Sequence, residues 1–219
     1  MFRIKICGIT NVTDALAAAA AGADAVGLNF YAGSPRCVAP DAAKEIAATL
    51  PDGVARVGVF VNADVQAIIE ICDRLALTYV QLHGDEPAEL VAQLAPRAVI
   101  KAFRLRDTDR TPINAFLAEC KKVDAMPTGL LLDAHVSGHY GGTGATADWL
   151  GARAVTEWLA PLPVLLAGGL TPANVAAAVA AARPWGVDTA SGVEISPGHK
   201  DQAKMQQFAA AARDALAHG

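Results

Sequence analysis

The chain reads as a single α/β domain, residues 1–219, closed into a (β/α)8 barrel, and three observations carry that reading. Apolar runs of strand length alternate with longer segments of helical period, and the alternation recurs eight times with no compositional break that would mark a linker. Strands such as Val57-Gly58-Val59-Phe60-Val61 and Gly129-Leu130-Leu131-Leu132 are apolar on both faces, as a parallel strand covered by helices outside and by the barrel's own interior requires. Eight βα units in 219 residues fit such a barrel, lean beside a typical size of about 250. An open doubly wound sheet is the competing fold, and the Gly-x-Gly-x-x-Gly turn it would carry after its first strand is missing.

Taken in order, the strands are expected near 3–8, 24–30, 55–61, 78–82, 98–104, 129–134, 163–167 and 186–190. The helices between them are expected near 13–22, 40–50, 64–75, 87–95, 112–122, 148–159, 172–182 and 201–217. Asn11 or Thr13 suits the start of the first helix and Asn62 or Asp64 that of the third, while Pro40, Pro87 and Pro172 stand at first-turn positions. Asp85 and Glu86 suit the start of the fourth helix, where carboxylates meet free amides.

Composition excludes several classes of function. A net charge of −4 and the lack of a basic tract argue against nucleic acid as a partner. No run approaches the roughly 20 uncharged apolar residues of a membrane span, so no membrane partner is expected. The chain enters a strand pattern at Met1-Phe2-Arg3, which leaves no room for a secretory leader, and a cytoplasmic protein is the expectation. The four cysteines, Cys7, Cys37, Cys72 and Cys120, and the scattered histidines have no metal-ligand spacing, so no metal is expected.

In this fold, sites assemble at the C-terminal ends of the strands. The first end, Lys5-Ile6-Cys7-Gly8-Ile9-Thr10, places a thiol where strand gives way to loop, beside a residue with no β-carbon; Cys7 is a catalytic candidate or a buried, inert cysteine. The second end leads into Ser34-Pro35-Arg36, and Arg36 either meets a carboxylate or phosphate through its planar fork or is a solvated loop residue. The fourth, Gln81-Leu82-His83, offers Gln81 and His83 to a pocket. The sixth buries three leucines and then presents Asp133, either a general acid whose proton is held by apolar walls or a carboxylate bracing its turn. The Ala134–Ala145 loop after it is longer than a connector needs, as lids and ligand clamps are. The last two ends carry Gly168-Gly169 and Ser191-Gly192, whose bare amides and hydroxyl suit a phosphate, with Gly142 and Gly144 as further donors or, singly, plain turn formers.

Read together with Val57-Gly58-Val59-Phe60-Val61-Asn62, Val80-Gln81-Leu82-His83-Gly84-Asp85-Glu86, Gly141-Gly142-Thr143-Gly144, Leu166-Ala167-Gly168-Gly169-Leu170-Thr171-Pro172 and Val187-Asp188-Thr189-Ala190-Ser191-Gly192-Val193-Glu194, these motifs resemble the phosphoribosylanthranilate isomerase family of tryptophan biosynthesis. The resemblance implies an Amadori-type aldose-to-ketose isomerisation of N-(5-phosphoribosyl)anthranilate by acid–base chemistry. It implies Cys7 as base, Asp133 as acid and Arg36 on the anthranilate carboxylate. It also implies a phosphosugar substrate, a monomer or homodimer, and no cofactor, the aniline nitrogen serving as electron sink. Acid and base would face each other across the barrel mouth, with Lys5 either near Cys7 or turned into the interior. The nearest competing enzyme, an aminoimidazole isomerase on the same barrel, calls for aspartate in place of Cys7; a phosphate-binding protein without activity has no use for an opposed acid and base.

Overall fold

A computed structural model describes residues 1–105, 109–133 and 149–218. Eight parallel strands form a closed barrel in chain order: β1 (Ile4–Cys7), β2 (Ala25–Asn29), β3 (Ala55–Phe60), β4 (Tyr79–Leu82), β5 (Ala98–Arg104), β6 (Gly129–Asp133), β7 (Val164–Ala167) and β8 (Gly186–Thr189). β8 returns to pair with β1, Asp188 opposite Lys5, so the sheet has no free edge. This is the TIM-barrel architecture, and each strand lies within one residue of its expected bounds.

The helices wrap the outside: α1 (Val12–Ala20), α2 (Pro40–Thr49), α3 (Val65–Leu75), α4 (Glu89–Gln93), α5 (Thr111–Lys122), α6 (Trp149–Leu159), α7 (Val175–Ala182) and α8 (Gln202–His218). Of the alternative caps, Asn11 closes α1 by accepting from Asp14 N at 2.8 Å, and Asp64 closes α3 by accepting from Gln66 N at 2.9 Å. Pro40 opens α2, whereas α4 and α7 begin later than Pro87 and Pro172. A tight turn intervenes in each case: Leu90 N bonds Pro87 O, and Asn174 N bonds Thr171 O. Glu86 does not cap α4. It is buried, accepts from Asn62 N and Gly84 N, and pairs with Lys101 Nζ at 3.0 Å, tying the loops after β3 and β4 to β5.

Strand alternation sorts the side chains into two cores. Ile4, Ile6, Val26, Leu28, Leu130, Leu132 and Leu166 face the helices, where buried alanines such as Ala15, Ala178 and Ala209 let helix and sheet approach closely. Ala25, Val57, Ile100, Leu131 and Leu165 fill the barrel, and Phe2 seals its lower end with its ring edge-on to Tyr79, centroids 5.1 Å apart. After β8 comes a 3-10 turn, Ser191–Val193, then a hairpin of β9 (Glu194–Ser196) and β10 (His199–Lys200). These strands are too short for an alternation to register in sequence; a Pro197-Gly198 turn with Gly198 at φ +81° joins them.

Candidate active site

The upper end of the barrel opens into a cavity of about 490 Å3, in the range of small-molecule sites. Eight residues singled out from sequence line it: Cys7, Arg36, Gln81, His83, Asp133, Gly168, Gly169 and Ser191. Gly142 and Gly144 lie outside the described residues, as does the 134–145 loop. Gly192 stands behind the wall; a β-carbon there would clash with Leu170 O, so its bareness lets the last two loops meet.

Cys7 ends β1 half-buried, its sulfur over Gly27 of β2, where a β-carbon would stand only 2.6 Å away. Gly8 then turns the chain at φ +73°, and a side chain there would meet Arg36 Cδ at 2.6 Å. Asp133 ends β6 and opens on the same cavity, with β7 and β8 between it and β1 on the shorter way round. Two residues back along each strand, Lys5 and Leu131 are fully buried, so one step separates cavity from floor.

Lys5 lies inside the barrel and also beside Cys7, so its two sequence alternatives are one placement. Its Nζ is 3.0 Å from Asp188 Oδ1, and its Cε and the Cys7 sulfur both lie against Gly27 of β2. Burial works against its charge, but Asp188 and Cys7 outweigh that and hold Lys5 above its ordinary value. Burial likewise pushes Asp188 up while Lys5 draws it back. The ionised pair is the form that fits, because an ammonium this deep without a counter-charge would be far costlier.

Arg36 is not a free cation. Its Nε and Nη2 donate to the two carboxylate oxygens of Glu194 at 2.8 and 2.6 Å, a planar bidentate grip that holds the guanidinium charged and oriented. Glu194 also accepts from Lys200 Nζ at 2.8 Å and from Gly198 N; burial opposes its charge, yet these donors keep it below its ordinary value. Burial moves Lys200 down from its ordinary value, with Glu194 opposing.

On β4, the Gln81 amide meets His83 Nδ1 at 2.8 Å. Burial lowers His83 from its ordinary value, with Asp133 opposing, so the ring is neutral at pH 7. With Gln81 Nε2 donating, the ring proton sits on Nε2; the other end of the amide, buried, has no partner among the described residues. In the loop after β7, Gly168 and Gly169 adopt φ +96° and +65°, and Thr189 Oγ1 ties the loop by donating to Leu170 O at 2.7 Å. Among the described residues no three His, Cys, Asp or Glu side chains are grouped to hold a metal ion.

Glu194, Asp188 and Arg104 also belong to this site, the last two lining the cavity, and were not singled out from sequence. Glu194 and Asp188 lie within the motifs that carry the resemblance, but their partners are 158 and 183 residues away. The inward alternation of Ile100, Ala102 and Arg104 along β5 was the available signal for Arg104.

A family model described as N-(5'phosphoribosyl)anthranilate (PRA) isomerase matches residues 4–211. An N-(5'-phosphoribosyl)anthranilate isomerase of Geobacter metallireducens is 48% identical over 209 residues, covering 95% of this chain and 97% of its own. One from Pseudomonas paraeruginosa is 49% identical, covering 96% and 95%. The crystal structure of phosphoribosyl anthranilate isomerase from Thermotoga maritima superposes with a TM-score of 0.85 at 39% identity, covering 98% of this chain and all of that one. A second solved isomerase, in complex with reduced 1-(o-carboxyphenylamino)-1-deoxyribulose 5-phosphate, gives a TM-score of 0.82 at 37% identity over 98% of this chain and 100% of its own. With its eight-stranded barrel and the motifs at its mouth, this chain belongs to the N-(5'-phosphoribosyl)anthranilate isomerase family.

Proposed function

We propose that this enzyme isomerises N-(5'-phosphoribosyl)anthranilate to 1-(2-carboxyphenylamino)-1-deoxyribulose 5-phosphate, with Asp133 as general acid and Cys7 as general base. The observation that carries the reading is a thiol and a carboxyl group on one cavity, from strands on different sides of the barrel, beneath paired-glycine loops. Asp133 gives a proton to the furanose ring oxygen, the C1–O bond breaks, and the aniline nitrogen takes up the positive charge as an iminium. Cys7, as thiolate, removes the proton from C2, and the electrons return to nitrogen as an enolamine that tautomerises to the ketone. Gln81 and neutral His83 suit the sugar hydroxyls, because both line the cavity and the Gln81 amide holds the ring through Nδ1.

Arg36 is the residue for the anthranilate carboxylate. Glu194 takes one edge of the guanidinium and leaves donors on the other, so the clamp orients it as a fork. Gly168, Gly169 and Ser191 take the phosphate through backbone amides and a hydroxyl, with Gly142 and Gly144 as further donors. Four cysteines that are all free suit a reducing compartment such as the cytoplasm. The working form in this reading is a monomer or homodimer; one similar solved structure is of monomers generated from a dimeric isomerase of Thermotoga maritima.

The test is to generate phosphoribosylanthranilate enzymatically and follow its fluorescence as purified protein is added. Decay proportional to protein concentration is expected. A trace that matches the spontaneous breakdown of the substrate would end this reading.

A further inference from the structure

We propose that a second hollow, beside the mouth of the barrel, is a binding site for an apolar α-amino acid in its zwitterionic form. This cavity of about 460 Å3 is in the range of small-molecule sites and lies between the ends of β4 and β5 and the first turns of α5. Val61, His83 and Arg104 line both it and the catalytic cavity and so form the partition between them. Cys7, Asp133 and the paired glycines line only the catalytic side, which leaves the second hollow without a part in the isomerisation.

Its wall is a braced corner. Asn62 stands in the left-handed region at φ +50°, and a β-carbon on Gly84 would clash with its Oδ1, so the loops after β3 and β4 fit only with glycine there. Asp85 N donates to Asn62 Oδ1 at 2.8 Å. The two buried charges of the corner are spent internally: Glu86 accepts from Asn62 N, Gly84 N and Lys101, and Lys101 also donates to Gly84 O at 2.6 Å. Two exposed charges are not spent. Asp85 and Arg104 both line the cavity, and neither side chain pairs with the other or with anything else among the described residues. An anion alone would satisfy Arg104 and face Asp85, and a cation alone would do the reverse; a ligand carrying both charges satisfies both, its ammonium donating to Asp85 and its carboxylate accepting from Arg104. The rest of the wall selects the side chain. Phe103 and Phe116 meet edge to face, centroids 5.6 Å apart, and Pro112 lies with them on the cavity.

The experiment is calorimetric titration of the protein with L-phenylalanine at pH 7, alongside phenethylamine and 3-phenylpropionate, which each lack one of its charges. L-Phenylalanine is expected to bind with a Kd of about 1 mM or below, and each singly charged probe about tenfold or more weaker. Asp85→Asn keeps the backbone N–H that Asn62 accepts and should weaken L-phenylalanine about tenfold. Its turnover of phosphoribosylanthranilate should stay within about twofold of the parent, because Asp85 does not line the catalytic cavity. Absence of binding would overturn the proposal, and so would equal affinity for the three probes. Affinity unchanged by Asp85→Asn would do the same, since the ligand would then sit elsewhere, as on Arg36. If Asp85→Asn fails to fold, the comparison of the three probes on the unmodified protein still decides. The titration needs no substrate, so its outcome is separate from the roles of Cys7 and Asp133.

Discussion

The two ends of the barrel are made from the same eight strands and have opposite chemistry. At the lower end, Phe2, Val57, Ile100, Leu131 and Leu165 exclude water and make ordinary core contacts. One inward step higher, about 7 Å along a strand, Leu131 gives way to Asp133 and Lys5 to Cys7, and both of these line the cavity. Stability and chemistry are thus stacked on one axis. A strand needs a change at a single inward position to pass from core to site, and the closed sheet below keeps that position still.

The largest expected effects test the upper end. Cys7→Ala and Asp133→Asn should each lower kcat by about 10² to 10⁴, with the thermal midpoint within about 2 °C of the parent, since each is a small change at a cavity wall. Turnover within tenfold of the parent would remove the assigned roles. Leu131→Ala makes the opposite prediction two residues below Asp133. It should cost about 2–5 kcal/mol in urea unfolding and leave kcat of the folded enzyme within about twofold; a large kcat defect would show that the two ends are not separable.

A smaller effect is expected at the rim. Glu194→Gln loosens Arg36, and KM should rise about tenfold, close to 1.4 kcal/mol, while kcat changes little. A fall in kcat with KM constant would place Arg36 in the chemistry instead of in binding. The smallest effect concerns acid. Glu86 and Glu194 titrate below their ordinary value of 4.5, so their stabilisation is complete above about pH 4.5 and is lost as pH falls through their folded values. The urea midpoint should therefore hold from pH 7 to about 5 and decline below 4.5; a midpoint that rises on acidification would contradict the assigned pairings.

The barrel and its catalytic candidates were legible because they are local features. Strand-length apolar runs ending in Cys7, Asp133 or paired glycines announce themselves within ten residues. The pairings that fix the site are not local. Arg36 with Glu194 and Lys5 with Asp188 arise only when β8 closes on β1, and no period in the sequence encodes that a carboxylate near residue 190 meets a cation near residue 5 or 36. Glu86 was misplaced for the same reason. Next to a helix start it looks like a cap, and only the neighbouring strand brings Lys101 within 3.0 Å.

The closure of β8 on β1 also sets an order in time. A ribosome makes Lys5 and Arg36 early, and their carboxylates, Asp188 and Glu194, emerge 183 and 158 residues later. Until then the nascent chain holds two cations destined for burial with nothing to neutralise them, so the first half of the protein cannot settle into its final state ahead of the second. The pairs are completed only by the last βα unit, and a message truncated before it would yield a chain that has Cys7 and Asp133 but neither the carboxylates of Asp188 and Glu194 nor the strand that closes the barrel.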